Sequence, residues 1–340
     1  MRGLWNTVIF LVALSLTAAG IGVFAPKPRV AIVTPKLMWL AEHRDEFDVL
    51  FLGSSRTYRQ VIPELFDQLM TEAGKPVRSF NLGIDGMRPP EDTFVLEEVL
   101  KHRTKPLQWV FVECNPLRLS MRDEDQDTVR AVYWHDWKRF GTLFRRAFLT
   151  DEKKRNWRDR TKEIAKACPD FFDHAGYWLQ NAMHLGQGHT AMENWLFKGG
   201  MPAMPMHDVG PRRDGYKASE APEQMNADQL AAYQKELAEM HHNPPRADYA
   251  DRVSQEELRE KQRIVEQAGG KLVLLVPPFT ASKFFNPKPG KNGGLLLDFS
   301  SPEKFPELFA PEHHSDSGHV NRVGAELYTR QIVRALLERP

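Results

Sequence analysis

The chain has 340 residues and a hydrophobic fraction of 41%, enough to build a full core in one large domain or two modest ones. Its formal net charge of +1 gives no reason to expect nucleic acid or another strongly acidic partner. The only cysteines are Cys114 and Cys168, so no disulfide framework is implied, although a single bridge between them is possible.

An apolar segment without charged residues runs from Leu4 to Ala25. Its length matches the roughly 20 residues of a membrane-spanning helix. Arg2 precedes it, which predicts an anchor over residues 1–26 and places residues 27–340 in the periplasm or another extracytoplasmic space. The small residues of Thr17-Ala18-Ala19 allow a cleaved signal peptide instead, with the same exported location. Because the apolar run continues to Phe24, the uncleaved membrane anchor is favoured.

Short apolar runs separated by helical segments predict a parallel sheet. These runs are residues 47–53, 77–82, 108–114 and 271–276. The first is nearly continuous, as in a strand that is covered on both faces. A helix is predicted from Pro63 to Gly74 and another from about Ser254 to Gln267. Strands that alternate with helices indicate an α/β doubly wound domain over residues 27–340.

A long stretch from about 117 to 250 exceeds the short connections of a minimal sheet domain and is predicted to be a helical and loop insertion. It is rich in aromatic residues with basic neighbours. Aromatic faces with polar edges suit sugar rings, so these residues could bind a glycan or a partner protein, or could pack an inserted helical subdomain. Within the stretch, Lys198 to Pro222 is rich in Gly, Pro and Met, which predicts an irregular loop. This loop is a candidate lid over Ser55, a serine that follows the first predicted strand.

Residues with suitable chemistry follow three of the predicted strands. Ser55 follows the first strand, Gly86 the second and Asn115 the third, at the edge where doubly wound sheets place their active sites. Near the C-terminus, Asp316 and His319 lie three residues apart. A serine hydroxyl attacks only when a base takes its proton, and a carboxylate can orient that base. The sequence therefore predicts Ser55 as nucleophile, His319 as base and Asp316 as the orienting acid.

Four short blocks resemble those of the SGNH, or GDSL, hydrolase superfamily, in the same order. They are Gly53-Ser54-Ser55, Asn81-Leu82-Gly83-Ile84-Asp85-Gly86, Asn115, and Asp316-Ser317-Gly318-His319 with Asn321 and Gly324. Two departures occur, because Ser54 replaces the usual aspartate, and Glu113 and Pro116 replace the glycine and acid that flank the third-block asparagine.

The resemblance implies a flavodoxin-like, doubly wound parallel sheet flanked by helices and interrupted by the insertion. It implies catalysis by Ser55, Asp316 and His319 without a cofactor or metal. It also implies an oxyanion hole formed by the N–H groups of Ser55 and Gly86 and by the side-chain amide of Asn115. Each lost donor of this kind costs about 10²–10³ in rate.

The Gly-Ser-Ser-Arg form of the first block, with an N-terminal anchor, is similar to the branch that works beside membrane acyltransferases in acylating cell-surface polymers. This similarity implies an exported acyltransferase that moves an acyl group, expected to be acetyl, through Ser55 to a polysaccharide hydroxyl. A membrane acyltransferase is a candidate partner, and a polysaccharide or a small acyl ester is the candidate substrate. A carbohydrate esterase with the same triad, and a non-catalytic glycan-binding or scaffold subunit of an export complex, are the alternatives.

Each motif also has a purely structural interpretation. Ser54 and Ser55 could cap the following helix, and Asp316 to Gly324 could be a loop that leads into a surface helix. These interpretations are independent of one another, whereas one catalytic site explains all four blocks together.

Two histidines and two arginines near these blocks also have more than one interpretation. The adjacent His313 and His314 diverge, so they predict no metal site with Asp316 and His319. Arg56 and Arg88 could each bind a carboxylate of a uronic-acid polymer, or pair structurally with an acid such as Asp85.

Overall fold

The structure is a computed structural model that describes residues 2–101, 103–149, 157–197, 204–220, 224–242, 252–280 and 294–339. It divides into two compact units. The sheet unit comprises Pro35–Leu117 and Pro205–Pro340, and the helical unit comprises Met1–Thr34 and Arg118–Met204. The boundary at Leu117 coincides with the start of the predicted insertion, whereas the second half of that stretch, from Pro205, packs with the sheet.

Within those ranges the α-helices are α1 (Arg2–Phe24), α2 (Val33–Glu42), α3 (Ser55–Gln60), α4 (Pro63–Glu72), α5 (Glu91–Leu100), α6 (Val129–Trp134), α7 (Trp137–Phe148), α8 (Trp157–Ala182), α9 (Leu185–Met192), α10 (Ala227–His242), α11 (Arg252–Gln267) and α12 (Arg322–Leu337). The strands are β1 (Val49–Gly53), β2 (Ser79–Gly83), β3 (Trp109–Glu113), β4 (Lys271–Val276), β5 (Leu295–Asp298), β6 (His314–Asp316) and β7 (His319–Val320).

Five parallel strands form the main sheet, in the order β2-β1-β3-β4-β5. The predicted α/β class with a parallel sheet is confirmed, and the four predicted apolar runs form β1 to β4. β5 was not predicted. The connection from β1 leads outward to β2, and the chain then returns to place β3 on the other side of β1. The carboxyl ends of β1 and β3 thus flank the point where the strand order reverses, which is where such sheets bind ligands.

Helices cover both faces of the sheet. Because side chains alternate along a strand, Phe51 and its register partner Phe111 share one face, where their rings stack with centroids 4.6 Å apart. Phe66 of α4 meets the Phe51 ring at 5.0 Å, and α12 packs its apolar stripe into the same core. Leu50 and Leu52 point to the opposite face and are fully buried, and α5 and α11 pack on that side of the sheet unit. Burial on both faces explains the continuous apolar sequence of β1.

The helical unit combines α1 with α6 to α9. α1 is an N-terminal helix long and apolar enough to cross a membrane or to act as a signal sequence. The hydroxyls of Thr7 and Thr17 donate to carbonyls one turn earlier in α1, so neither needs water as an acceptor. α7 and α8 pack through rings that include Phe140 and Trp178, with centroids 4.9 Å apart. Many of the predicted aromatics therefore pack within the helical unit, which agrees with the subdomain interpretation for these rings.

Candidate active site

Ser55 and His319 meet at the carboxyl edge of the sheet. Ser55 is the first residue of α3, immediately beyond β1, and its Oγ lies 2.7 Å from Nε2 of His319. The other imidazole nitrogen, Nδ1, lies 3.0 Å from both carboxylate oxygens of Asp316. A carboxylate only accepts hydrogen bonds at neutral pH, so these contacts assign the proton to Nδ1 and leave Nε2 as the acceptor for the Ser55 hydroxyl. The three side chains form one continuous hydrogen-bonded chain.

A small hairpin explains the spacing of Asp316 and His319. β6 and β7 are antiparallel, and Asp316 pairs directly across the ladder with His319. Side chains of such cross-strand partners lie on the same face, close enough to touch. The turn between them is fixed by Gly318, whose N–H donates to Oδ1 of Asp316 at 2.7 Å. The three-residue spacing is thus the signature of a two-residue hairpin turn.

The Asp316 carboxyl is held in its ionised form. Partial burial acts to raise its pKa, but the hydrogen bond and charge of His319 and the N–H of Gly318 outweigh burial and lower it. Since the side chain is 41% exposed, solvent screens part of this effect. An ionised Asp316 can hold the Nδ1 proton of His319 and stabilise an imidazolium during proton transfer.

The residues after His319 hold the hairpin against α12. Asn321 caps that helix by accepting a hydrogen bond from the Gly324 N–H at 3.1 Å, and its own amide donates to the Glu312 carbonyl at 2.7 Å. Gly324 is required because a Cβ there would collide with the His313 carbonyl oxygen and with Val320. Asn321 and Gly324 therefore position the hairpin that carries Asp316 and His319.

Ser54 and Ser55, although adjacent, have different roles. Ser54 is the N-cap of α3, and its Oγ accepts from the Arg56 N–H at 3.3 Å. This matches the capping interpretation for Ser54. Ser55 makes no such cap, and its hydroxyl points to His319 instead.

A buried carboxylate that the sequence interpretation had not assigned, Glu113, anchors this turn. Its side chain, the last of β3, is 1% exposed. Ser54 donates to it from both N–H (2.7 Å) and Oγ (2.8 Å), and Thr57 donates from Oγ1 at 3.0 Å. Arg56 forms an ion pair with Oε1 at 2.7 Å. Burial acts to raise the pKa of Glu113, but Arg56 and the donated hydrogen bonds outweigh it, so the pKa is lowered.

Gly53 makes room for this network. A Cβ at position 53 would overlap Oγ1 of Thr57 and the carboxylate of Glu113. Gly53→Ala is therefore expected to destabilise the protein by about 1–3 kcal/mol, the cost of overpacking a closed interior. Gly141→Ala is the matched control, because no atom lies within 4 Å of a Cβ on this helical glycine, and it should leave the thermal midpoint unchanged or raise it. Thermal unfolding of the two variants tests this, and equal midpoints would show that a Cβ at position 53 does not collide with Thr57 and Glu113.

The end of β2 is tied to the turn by Asn81. Its buried amide donates to the carbonyls of Thr57 and Val61 at 2.7 Å each, while its Oδ1 accepts from the Gly83 N–H at 2.9 Å. Gly83 itself lies directly against the backbone of Tyr58, where a Cβ would not fit. The Asn-x-Gly part of the second block is therefore a clamp between β2 and α3.

Gly86 lies in a β-turn just beyond this clamp. The Met87 N–H donates to the Ile84 carbonyl at 3.0 Å, and Gly86, the third residue of the turn, has φ +72°. That left-handed conformation is the reason for a glycine here. Among the described residues, neither the Gly86 N–H nor the Ser55 N–H has a hydrogen-bond acceptor. Each N–H group can therefore donate a hydrogen bond to a ligand, as the predicted oxyanion hole needs.

Lys36 of α2 is a second buried group that the sequence interpretation did not assign to the site. Its Nζ donates to the carbonyls of Asn81 (3.1 Å), Gly83 (2.6 Å) and Gly215 (2.8 Å). The ammonium also lies 3.6 Å from the centre of the Tyr58 ring. Complete burial lowers the pKa of Lys36 well below its ordinary value, and the positive charge of Arg59 adds to this. Lys36 joins the carboxyl end of β2 to the loop at Gly215.

That loop belongs to the predicted irregular segment at 198–222, of which residues 204–220 are described. The Asp214 carbonyl accepts from the Asn81 N–H at 2.7 Å, so this part of the loop lies along the edge of β2. Residues 198–203 and 221–222 lie outside the described residues, and a lid over Ser55 stays a prediction.

Asn115 has its amide orientation fixed. Its Oδ1 accepts from Nη2 of Arg56 at 2.8 Å, and its Nδ2 donates to Oε1 of Glu113 at 3.0 Å. The reversed amide would face a donor with a donor and an acceptor with an acceptor. The Glu113 contact uses one of the two Nδ2 hydrogens, and within the described ranges the other has no acceptor. The Asn115 side chain is thus hydrogen-bonded directly to that of Arg56, the residue after Ser55.

Asn115→Ala is expected to lower kcat/KM for an acetyl ester by about 10²–10³, the effect of removing one oxyanion donor. The thermal midpoint should stay close to that of the unmodified chain, because Arg56 keeps its ion pair with Glu113. Ester hydrolysis and thermal unfolding measured on the same preparation separate the two roles. A lowered midpoint with kcat/KM unchanged would show that Asn115 only holds Arg56.

The two arginines predicted as substrate-binding residues have different outcomes. Arg56 pairs with Glu113 and stacks on the Phe279 ring at 3.9 Å, and its side chain is 17% exposed. Two roles were predicted for Arg56, binding of a substrate carboxylate and pairing with an acid of the protein. The pairing is observed, and its partner is Glu113. Asp85 pairs instead with Arg59, at 2.6 Å. Arg88 is partly buried, and a role in substrate binding stays a prediction.

The histidines beside the hairpin bond to the backbone. Nδ1 of His313 lies 2.7 Å from the Glu307 carbonyl, and Nε2 of His314 lies 2.7 Å from the Leu308 carbonyl. Among the residues that the structure describes, no group of three His, Cys, Asp or Glu side chains could hold a metal ion. Cys114 and Cys168 are both free thiols, so they do not form the single bridge that the sequence allowed. Burial raises the pKa of the Cys114 thiol, which disfavours a reactive thiolate at this position.

Comparison of the chain with models of known protein families and with curated proteins finds no match.

Proposed function

We propose that this protein is an exported, membrane-anchored acyltransferase of the SGNH type. Ser55 accepts an acyl group, expected to be acetyl, and passes it to a hydroxyl of an extracytoplasmic polysaccharide. The observation that carries the proposal is the hydrogen-bonded chain from Ser55 Oγ through His319 to Asp316. The strand order β2-β1-β3-β4-β5, which is the flavodoxin-like order, supports the assignment of fold type.

In the first half-reaction His319 acts as base and then as acid. Nε2 takes the Ser55 proton as Oγ forms a bond to the acyl carbon, and Asp316 stabilises the resulting imidazolium. The tetrahedral intermediate collapses when the bond to the leaving group breaks, and that group receives the proton from Nε2. The product is an ester on Ser55.

In the second half-reaction the acceptor hydroxyl repeats these steps in reverse. It loses its proton to Nε2, attacks the Ser55 ester and releases the serine, which regains the proton. In both halves the negative charge on the carbonyl oxygen is placed near the N–H groups of Ser55 and Gly86 and the amide of Asn115, the three proposed donors.

Transfer to a glycan is preferred over hydrolysis because of the Gly-Ser-Ser-Arg form of the first block together with the apolar helix α1. Arg2, the first residue of α1, precedes the apolar run and supports an orientation with the sheet unit outside the cytoplasm. The catalytic groups are the same for an esterase, and the acceptor that reaches the Ser55 ester decides the outcome.

A serine-directed phosphonate and an acetyl ester test the proposal on the full chain in detergent. The phosphonate is expected to attach to Ser55, and His319→Ala should suppress the labelling. Acetyl ester supplied with candidate polysaccharides should yield acetylated glycan. Acetate released at the same rate with and without glycan would favour the esterase, and an unlabelled Ser55 would contradict an enzymatic function.

A further inference from the structure

The C-terminal end of α1 packs against α9 within the helical unit. A Cβ on Gly22 would collide with the imidazole of His184, and a Cβ on Gly188 would lie 3.6 Å from Ile21. Pro28, just beyond α1, lies 3.5 Å from the corresponding position on Gly186. α9 is therefore at the level of the last turn of α1 and of the residues that follow it.

Among the described residues, α1 is covered only near its C-terminal end. Ala18, Ile21 and Gly22 form a covered stripe at helical spacing, Gly20 is partly covered as well, and Ala25 follows just beyond the helix. The remaining large apolar side chains of α1 are exposed, between 39% at Leu14 and 88% at Phe24. In a bilayer the exposed face would contact lipid, while the covered stripe holds α9 at the end of the apolar segment.

α9 and the turn after it present an apolar stripe of their own, which we call the α9 stripe: Leu185, Met192, Trp195 and Leu196. Each of these residues is at least half exposed, and Trp195 reaches 83%. Leu185 and Met192 are seven residues apart and therefore lie on one side of α9, and Trp195 and Leu196 follow in the π-helical turn Glu193–Phe197. His189, on the same side, lies 3.9 Å from the carboxylate of Glu193. A cluster of large apolar side chains this exposed is typical of an interaction surface.

We propose that the α9 stripe lies in the interfacial layer of the bilayer that α1 crosses. The inference depends on α1 remaining in the membrane. The apolar segment ends at Phe24, so the last turn of α1 is at the edge of the hydrocarbon, and α9, which contacts that turn, is at the same depth. Helices with an apolar side lie in this layer, and tryptophan is enriched there. The helical unit then has two attachments to the membrane, one across it and one along its surface.

Quenching of a fluorescent label by lipid-bound nitroxides tests this placement. A nitrobenzoxadiazole label is attached to Met192→Cys in the full chain, with Cys168→Ser to remove the partly exposed thiol, while the buried Cys114 stays. Matched labels at Leu11→Cys in α1 and at Glu338→Cys, the C-cap residue of α12, serve as controls. The proteins are placed in phosphatidylcholine vesicles that carry the nitroxide either near the headgroup or deep in the acyl chain.

The label at position 192 is expected to lose more fluorescence to the shallow nitroxide than to the deep one, and more than the label at position 338. The label at position 11 should show the opposite depth preference. Trp195→Asp with Leu196→Asp should remove the shallow quenching at position 192 and leave position 11 unchanged. Trp137 is another largely exposed tryptophan of the helical unit, at 71%, and lies outside the stripe, so Trp137→Asp should leave the quenching at both positions unchanged.

Two results would overturn the proposal. If position 11 is quenched and position 192 is not, α1 is inserted and the α9 stripe stays out of the lipid, which leaves it to a protein partner. If neither position is quenched, α1 itself is outside the bilayer. Both results are independent of phosphonate labelling at Ser55, so neither depends on the proposed enzymatic activity.

Discussion

Replacement of Ser55 by alanine is expected to lower the rate of acetyl-ester turnover by about 10⁴–10⁶, to the level that binding and oxyanion donors alone provide. His319→Ala should have nearly the same effect, and the double variant should be no slower than either single one, because the two groups act as a unit. Ester hydrolysis by the three variants and covalent labelling by a phosphonate measure this.

Ser54→Ala is the matched control, since it removes a hydroxyl from the adjacent residue of the same turn. It loses the helix cap and the hydrogen bond that the Ser54 hydroxyl shares between the two carboxylate oxygens of Glu113, so its thermal midpoint should fall by the equivalent of about 1–2 kcal/mol. The phosphonate should still attach to Ser55 in this variant. Loss of labelling in Ser54→Ala equal to that in Ser55→Ala would mean that the turn, and not the Ser55 hydroxyl, determines reactivity.

The meeting of Ser55, His319 and Asp316 could be predicted because their signals are local in sequence. Ser55 follows an uninterrupted apolar strand, and the spacing of Asp316 and His319 is the product of one hairpin turn. The carboxyl ends of parallel strands meet at one edge, so strand assignment alone places Ser55, Gly86 and Asn115 along it. β5 was missed because four residues give too short a pattern to separate from a loop.

The supporting groups could not be found in the same way, because their partners are distant in sequence. Lys36 bonds to carbonyls 45, 47 and 179 residues away, and nothing near it in the chain marks those acceptors. Glu113 did leave a signal. A carboxylate at the end of a buried apolar strand requires a cationic partner, and Arg56 at the end of the adjacent strand was available to provide it.

Glu113→Gln is expected to cost about 3–5 kcal/mol of unfolding free energy, the effect of removing one partner of a buried ion pair. In the described part of the chain, the hydrogen-bond partners of the Glu113 carboxylate are all donors: Ser54, Thr57, Arg56 and Asn115. A glutamine amide would place its own N–H₂ against some of them and leave Arg56 without its counter-charge. Ser54, Arg56 and Thr57 belong to the turn that carries Ser55, and Asn115 is hydrogen-bonded to Arg56. Phosphonate labelling should therefore also be slower in this variant.

The stability difference should depend on pH in a direction set by Glu113 itself. Its pKa is lowered in the folded protein from the ordinary 4.5, so the folded state binds fewer protons than the unfolded state between the two values. The carboxylate therefore contributes its full stability above the unfolded pKa, and loses it as the pH falls through the folded one. Urea unfolding of the full chain in detergent should show a large difference between the unmodified protein and Glu113→Gln near neutral pH, and a smaller one in acid.

Glu338→Gln is the control for this measurement, since it removes a carboxylate that pairs with Arg334 at 2.8 Å on the surface, where both side chains are more than half exposed. Water and salt screen such a pair, so its loss should barely change the unfolding free energy at any pH. If Glu113→Gln behaved like this surface variant, the carboxylate would not be what fixes the Ser54-Ser55 turn. The geometry of the nucleophile would then have to come from Asn81 and the α3 backbone alone, which the labelling rate of Asn81→Leu would measure directly.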